Sequence, residues 1–521
     1  MCRLCDIALA LSLALVGAVC SHAVPEWRAQ PPVADTLVLW VMDQDINTGS
    51  SLQKLMRKFS LQSGVPVKIR FVDWSSAFDD LDRTLKTEAG ANSDFPDIVQ
   101  LGSSWVPYFA NAGLIAPLSN LVASIDTSRF YSEVMKASHI GRDTTVYSIP
   151  WFIDVRGFFV NERLWLELGL HDSEIDNYPK FFGVLQAVAR AKVVNGENGL
   201  VVPFQFGVKD DWTGYQQVSP FLWNFGGDFI AETDSGYRSA LADSLTLEGL
   251  RHYLQLLRDQ EVSPYNLREN SSQSAIRFVR AEQLMIFGTS ELIRKMDFES
   301  DLGGLMGSPL AKDGLITVVP PQGPSGSFTF VGGSHLAIPK NASPSKRRHA
   351  QELFLFMLRA DNIDYYSRHS GFIPSDRSLV RIWMQDPRYS VLIDGLETRG
   401  RSNQNIPEWS EIEMMVNTMV NSIGANILED GADVEEVTSR LVFETHEKMN
   451  RVLGYTDTTD RDVLRERIHL SLTQPVEIVR YEKEIGSLKK SEFSLRVIVV
   501  ILLGFIGCIL LLVAIFHYRK H

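Results

Sequence analysis

Val146–Leu170 reads VYSIPWFIDVRGFFVNERLWLELGL, and this stretch decides the fold of the 521-residue chain. It is a strand-like apolar run with Asp154 and Arg156 in its middle, followed directly by a helix-like segment. Because residues two apart in a strand point to the same face, these two charged side chains are neighbours. Charged side chains are rarely buried unless they are paired or bound. The pair therefore predicts one of two features. It is either a salt bridge within a sheet, or a pair of polar groups that binds a ligand where the chain crosses between two lobes.

The N-terminal residues 1–23 are predicted to be a secretory signal peptide. An apolar run, Ile7–Val19, leads to the small residues Ser21 and Ala23, which fit a cleavage site. The run is too short to span a bilayer comfortably, which takes about 20 residues. A lipid anchor on Cys20 is disfavoured, because the residue before it is bulkier than lipoprotein signals usually have.

The C-terminal end predicts a membrane anchor. Val497–Phe516 reads VIVVILLGFIGCILLLVAIF and carries no charge, which is typical of a transmembrane helix. Residues 517–521 would then be a short cytoplasmic tail, and the charged segment 456–496 a helical stalk beside the membrane. The predicted location is the inner membrane, crossed once, with the main domain, 24–455, in the periplasm or extracellular space.

Composition and cysteine usage exclude several classes of function. The formal net charge is −12, and no basic stripe is present, so a nucleic-acid partner is not expected. The four cysteines are Cys2, Cys5, Cys20 and Cys508, none of which falls inside the exported domain. Disulfides, cysteine nucleophiles and thiolate zinc sites are therefore excluded from that domain.

The first hundred residues alternate between strand and helix patterns. Strands are predicted at Thr36–Met42, Val65–Val72 and Pro96–Leu101, with helices at 51–63 and 79–88 between them. This order is typical of a parallel α/β sheet, in which ligands bind at the carboxyl ends of the strands. Further helices are predicted at Pro179–Lys192, Leu245–Asp259, Ser274–Phe278, Ser290–Phe298, Ser345–Leu358, Trp409–Ala425 and Val434–Val452.

Six sequence blocks, in order, resemble a known family. One block is a strand that begins with Pro-Asp and is followed by a small loop and the pattern Gly-x-x-x-Pro-Leu. A second is a strand that leads into a helix ending in Gly-Leu, and a third contains the pattern Trp-x-x-Gly-Gly. The blocks are Pro96–Leu118, Tyr147–Leu170, Phe221–Ile230, Ala281–Ile293, Phe330–Leu358 and Gly371–Leu379. Over about residues 36–453, the chain resembles the extracellular solute-binding proteins of family 1. That is the sugar-binding, ABC-transporter-associated class that includes maltose-binding proteins.

The resemblance implies an α/β, bilobed periplasmic-binding-protein fold of type II, whose lobes are joined by hinge crossings and close on a ligand. Lobe one would comprise about 36–153 and 325–371, and lobe two about 155–320 and 375–455. The chain departs from the family pattern at Val160, where Tyr usually precedes the Asn, and in its predicted C-terminal membrane helix.

Candidate ligand-binding residues follow from side-chain chemistry in the predicted loops and at the crossing between the lobes. Aromatic faces stack on sugar rings, and polar neighbours take the hydroxyl groups. The aromatic candidates are Trp105, Trp151 and Trp223, followed by Trp74 and Trp212. The polar candidates are Asp43, Ser103, Ser104, Asp154, Arg156, Asp228, Gly332, Gly333 and Ser334, of which the two glycines would let a backbone approach the ligand.

Motifs of catalysis and metal binding are absent from the sequence. No HExxH, GxSxG elbow or P-loop occurs. Carboxylate pairs such as Asp43/Asp45 and Glu411/Glu413 have no supporting motif for glycoside hydrolysis. The sequence therefore predicts a non-enzyme without cofactor or metal, which binds a small polar solute, chiefly a carbohydrate, and presents it to an ABC permease. The alternative is a sensor that signals laterally to a membrane kinase or cyclase.

Overall fold

The computed structural model describes residues 36–87, 94–196, 199–428 and 433–480. The predicted signal peptide, the last part of the predicted stalk, the predicted membrane span and the tail lie outside these residues. Among the helices within them, none is both long and apolar enough to cross a bilayer.

Twelve strands and nineteen α-helices organise the described residues. The strands are β1 Leu37–Met42, β2 Val67–Val72, β3 Ile98–Gly102, β4 Ile149–Asn161, β5 Val202–Gln205, β6 Ile230–Thr233, β7 Gly236–Ser239, β8 Gln283–Thr289, β9 Leu315–Val318, β10 Thr329–Ala337, β11 Ile373–Pro374 and β12 Gly400–Arg401. The helices are Ile46–Ser63, Trp74–Leu85, Val106–Asn111, Ser119–Val122, Ser132–Met135, Glu162–Glu167, Tyr178–Ala191, Gly214–Asn224, Ser244–Arg258, Ser271–Val279, Glu291–Lys295, Pro309–Asp313, Arg347–Met357, Ala360–Ser370, Val380–Trp383, Pro387–Thr398, Trp409–Ile427, Val434–Val452 and Arg461–Thr473.

Strand β1 shows why the first lobe forms a layered α/β body. Its six residues are all buried, and alternate side chains enter two different hydrophobic clusters. Leu37, Leu39 and Val41 pack on one side of the sheet, and Val38 and Trp40 on the other. A strand with helices on both faces must be apolar throughout, which accounts for the unbroken apolar run in the sequence. β1 pairs in parallel with β2 and β3, as predicted.

The long strand β4 carries the chain from one lobe to the other. Its first half pairs with β10 and β11, through Phe152 and Ile153 among others. Its second half, from Arg156 onward, pairs with β8 and β9. The sheet order β2-β1-β3-β10-β4-β8-β5 therefore runs through both lobes, and Asp154 and Arg156 lie at the crossing. This is the mixed α/β bilobed fold that the sequence predicted.

Several elements differ from the prediction because side-chain caps and tertiary packing override local pattern. The first helix begins at Ile46, ahead of its predicted start at residue 51, because the Asp45 carboxylate accepts a hydrogen bond from the Thr48 backbone N–H and caps it. The helices Gly214–Asn224 and Pro387–Thr398 were not predicted. The first is buried along its whole length, so it lacks the polar face that marks an amphipathic helix.

The predicted stalk requires a correction in its first part. Residues Arg461–Thr473 form a helix whose Leu464, Ile468 and Leu472 are buried in the same hydrophobic cluster as the helix Val434–Val452. These three residues recur at a spacing of four, which puts them on one helix face. The folded domain therefore continues past residue 456 to at least residue 473.

Acid should destabilise the protein through His335, a buried residue of β10. Burial lowers the pKa of its imidazole from 6.5 to about 3, and its Nδ1 lies 2.9 Å from the Ser148 hydroxyl. The unfolded chain binds a proton near pH 6.5 and the folded chain does not, so this contribution to stability is lost as the pH falls below 6.5. We expect the free energy of unfolding to decrease between pH 6.5 and pH 4, measured by urea denaturation. The free energy of unfolding of His335→Gln should decrease less over that range. A change at exposed His171 should leave the decrease as large as in the wild type.

A cleft between the two lobes

Two adjoining cavities lie between the lobes. The inner cavity, of about 70 Å³, lies against the crossing strands β4 and β10. The outer cavity, of about 500 Å³, lies between the helix Trp74–Leu85 of lobe one and the helix Trp409–Ile427 of lobe two. Both cavities are lined by Trp74, Trp105, Trp212 and Glu413, so they form one interlobe cleft.

The loop after β3 forms the lobe-one wall of the cleft. Ser103 and Ser104 are buried there, and the Ser103 backbone N–H donates to the Gly333 carbonyl across 3.0 Å. The ring of Trp105 packs against Gly102 and meets the ring of Trp74 edge-on, with centroids 5.6 Å apart. Polar groups at the carboxyl end of a strand therefore face the cleft, as the parallel sheet predicted.

Trp74 and Trp212 face each other across the cleft from opposite lobes. Their ring planes are nearly parallel, at 8°, with centroids 5.8 Å apart. The Asn417 side chain holds the loop of Trp212 by donating to its carbonyl at 2.8 Å. A sugar ring in contact with both aromatic faces would need about 7–8 Å between the planes. Such a ring therefore enters only if the tryptophans part.

Asp154 and Arg156 form the floor at the crossing, and both sequence interpretations apply to them. Arg156 Nε lies 3.5 Å from an Asp154 oxygen, and its guanidinium donates to the Gln216 side-chain carbonyl at 2.5 Å. The other Asp154 oxygen is buried, lacks a hydrogen-bond partner and belongs to a residue that lines the inner cavity. Burial raises the pKa of this carboxyl, although Arg156 opposes the rise.

Glu413 brings a second buried carboxyl to the cleft from lobe two. Its side chain hydrogen-bonds to Ser104 of lobe one, while its Oε2 is buried without a partner. Burial raises the pKa of Glu413 to about 8, so the group is mostly protonated at neutral pH. Tyr215 lies beside it, and burial raises the pKa of that phenol as well.

The segment Gly332–Ser334 lines the inner cavity, but it lies in strand β10 and not in a turn. A Cβ on Gly333, whose φ is +139°, would come within 2.3 Å of the Phe152 carbonyl oxygen on β4. Gly333 is therefore required for the close approach of two strands. The Ser334 hydroxyl accepts a hydrogen bond from Gln100 at 2.7 Å, which fixes its position.

Two of the three preferred aromatic candidates lie in the core and are corrected. Trp151 is buried in lobe one, where it stacks on Tyr366 with centroids 4.2 Å apart. It lies three positions before Asp154 and so points to the opposite face of β4. Trp223 is buried in lobe two, and its indole N–H donates to Asp228.

Two acidic candidates also lie away from the cleft lining. Asp228 pairs with Arg401 at 2.9 Å and supports Trp223, so its role is structural. Asp43 follows β1 as predicted, but it is exposed and lines neither cavity. The loop after β3 therefore contributes Ser103 and Ser104 to the cleft lining, whereas Asp43 after β1 does not belong to it.

Sequence reasoning missed Tyr215, Gln216 and Glu413 as cleft residues. Glu413 had a detectable signal, because it falls on the buried face of its helix with Trp409 and Val416. A charged residue in such a stripe is rarely there without a partner or a function. The paired position Glu411 lies two residues away on an exposed face, so the two do not form a catalytic carboxylate pair. In the part of the chain that the structure describes, no three His, Cys, Asp or Glu side chains converge to hold a metal ion.

Comparison with known proteins agrees with this architecture. The family model of bacterial extracellular solute-binding proteins matches residues 44–363. The chain belongs to this family. A curated relative of this solute-binding protein is the diacetylchitobiose binding protein DasA of Streptomyces coelicolor, 24% identical over 385 residues, which are 73% of this chain and 82% of DasA.

Solved structures of similar fold include further binding proteins. The GacH receptor of Streptomyces glaucescens, solved unliganded and with acarbose, has a TM-score of 0.65 and 17% identity, covering 81% of this chain and 99% of its own. Maltose-bound T. maritima MalE3 has a TM-score of 0.62 and 16% identity, and the match covers 84% of this chain and 98% of MalE3. The family is one of solute-binding proteins, which supports a non-enzymatic role. The family description also supports an extracytoplasmic main domain.

Proposed function

We propose that this solute-binding protein captures a carbohydrate in the interlobe cleft and presents it to an ABC permease. The observation that carries the proposal is the facing pair Trp74 and Trp212, one from each lobe, beside the buried carboxyl groups of Asp154 and Glu413. Flat aromatic faces pack on the C–H faces of sugars, and buried polar groups bind their hydroxyls. A pair split between lobes would couple ligand contact to lobe closure.

The proposed binding residues are twelve of those that line the cleft. They are Trp74, Ser103, Ser104, Trp105, Asp154, Trp212, Tyr215, Gln216, Gly332, Gly333, Ser334 and Glu413. Arg156 would hold Asp154 and Gln216 in place from below. The outer cavity has a volume within the range of about 300–1,000 Å³ that is common for small-molecule sites. DasA, which is similar in sequence, is named for binding diacetylchitobiose, and MalE3, which is similar in fold, was solved with maltose bound. Both support a sugar as the ligand of this cleft.

The sequence also supports an anchored form of this function. Residues 497–516 are proposed to hold the protein in the inner membrane after removal of residues 1–23, so that the cleft stays near its partner. That anchor equally suits the alternative, a sensor that closes on solute and signals laterally to a kinase or cyclase. Deleting the gene distinguishes the two: loss of labelled sugar uptake supports transport, and unchanged uptake favours the sensor.

Sugar binding should be detectable as thermal stabilisation of the purified protein. A panel of maltose, tagatose, N,N′-diacetylchitobiose and glucosamine oligomers is suitable, because a ligand that binds only the folded state raises the melting temperature by mass action. We expect a rise of about 2–4 °C or more at 100 times the dissociation constant, where the stabilisation is about 2.7 kcal/mol. A panel without any shift would contradict the proposed function.

A further inference from the structure

The lining of the interlobe cleft has one sign of charge. Six carboxylic side chains line the outer cavity, and Asp154 adds a seventh in the inner cavity. The six are Asp79, Asp210, Asp211, Glu408, Glu411 and Glu413. Among the described residues that line the two cavities, none is Lys, Arg or His. Clefts lined by one sign of charge concentrate ligands of the opposite sign.

Three cations outside the cleft lining are already paired with carboxylates, one of them with Asp154 of the inner cavity. Arg156 lies against Asp154 beneath the floor, and Lys295 lies 3.4 Å from Glu291. On the helix that carries Trp74, Arg83 pairs with Asp80. The exposed Lys209 precedes Asp210 but does not belong to the lining. The carboxylates of the outer cavity therefore leave an excess of negative charge.

Glu413 points to a ligand independently of the number of acidic residues. The residue is 9% exposed, and its Oε2 is buried without a hydrogen-bond partner. A buried polar atom without a partner is rare in folded proteins, so it normally has a role. Because Glu413 lines both the inner and the outer cavity, the residue borders the space that a bound molecule would occupy.

The aromatic rings around Glu413 suit the same kind of ligand. Trp74, Trp105 and Trp212 line both cavities together with it. The faces of aromatic rings attract cations within about 6 Å, most strongly for Trp. Indole faces and an unpartnered carboxyl group would both favour an ammonium group over a neutral hydroxyl or acetamide.

We propose that the cleft selects a sugar that carries an ammonium group, with Glu413 as the residue that binds that group. The inference rests on the proposed function of carbohydrate capture and names the class of carbohydrate. It differs from the neutral, acetylated disaccharide in the name of DasA. The ring would lie between Trp74 and Trp212, and the ammonium would donate to Glu413 Oε2.

Proton release gives the proposal a signature that packing alone would not produce. Without ligand, burial raises the pKa of Glu413 to about 8, so the carboxyl holds its proton at pH 6.5. An ammonium beside it favours the ionised form and lowers that pKa, so binding expels a proton. Tyr215 lies beside Glu413, and Asp154 and Arg156 act electrostatically on the same phenol. A neutral sugar would bind without this release.

The test is calorimetric titration of the purified protein with two matched probes at pH 6.5. The probes are the β-1,4-linked disaccharide of glucosamine and its N,N′-diacetylated form, which share a skeleton and differ in charge. We expect the amino form to bind at least tenfold more tightly, with an enthalpy that depends on the ionisation enthalpy of the buffer. Glu413→Gln should abolish both the preference and the buffer dependence. Glu444→Gln, a change on a surface helix outside the cleft, should keep them.

Equal or tighter binding of the acetylated form overturns the proposal, as does a preference that persists in Glu413→Gln. Failure of the amino form to bind overturns it too. If maltose or another neutral sugar still binds, the proposed capture of carbohydrate stands and only the charge selection falls. If no sugar binds, both fall. Because Gln is nearly the same size as Glu, the melting temperature of the variant shows whether it has folded.

Discussion

Replacing Trp151 with alanine should destabilise the protein by about 3–5 kcal/mol while leaving the sugar affinity of the folded molecules unchanged. The indole is buried in the core of lobe one, stacked on Tyr366, and its removal leaves a cavity that the surrounding sheet and helix cannot fill. The measurement is urea denaturation followed by tryptophan fluorescence or circular dichroism. Trp151→Phe should lower the free energy of unfolding by less, because an aromatic ring still packs on Tyr366.

The opposite result would return Trp151 to the binding site. If Trp151→Ala bound sugar at least tenfold more weakly and unfolded at the wild-type urea concentration, then the ring would act in the cleft. The assignment of the face of β4 would then be wrong. Asp154, on the other face, would no longer be expected to line the cleft.

Trp74→Ala and Trp212→Ala should each weaken sugar binding by about 30-fold, which corresponds to about 2 kcal/mol. Each ring is proposed to cover one face of the sugar, so removing either leaves that face exposed to water. Trp212 is 45% exposed without ligand, so its removal should change the free energy of unfolding little. The dissociation constants are to be measured by calorimetry with the sugar that gives the largest thermal shift.

The matched control is Phe71→Ala, an exposed aromatic of β2 that lines neither cavity. We expect wild-type affinity for it. If the two Trp variants bind like the control, the rings pack only on each other and the ligand lies elsewhere. If just one variant loses affinity, the sugar is held by one lobe, and closure does not depend on the facing pair.

The sequence was sufficient to predict the fold because its decisive patterns are local. The unbroken apolar run of β1 requires a strand covered on both faces, and Asp154 with Arg156 marks the crossing between the lobes. Packing was harder to predict. Helix Gly214–Asn224 is buried on all sides and shows no amphipathic pattern, and capping by Asp45 starts the first helix at Ile46 instead of residue 51.

The candidate site was predicted in part, for a similar reason. Loop residues such as Ser103, Trp105 and Trp212 were found because they follow or precede recognisable elements. Trp151 and Trp223 were misassigned, because a tryptophan beside polar residues looks the same in sequence whether it faces the core or the cleft. Counting from Asp154 along β4 would have put Trp151 on the other face. Tyr215 and Glu413 meet Ser104 only through folding, over long sequence separations.

A crystal structure of the protein with a bound sugar tests the central claim most directly. The claim predicts a sugar ring between Trp74 and Trp212, with the ring planes about 7–8 Å apart and Glu413 and Asp154 within hydrogen-bond distance. Sugar found outside the cleft, for example in the groove of about 760 Å³ lined by Arg294, Arg368 and Trp383, with the two tryptophans still in contact, would contradict it.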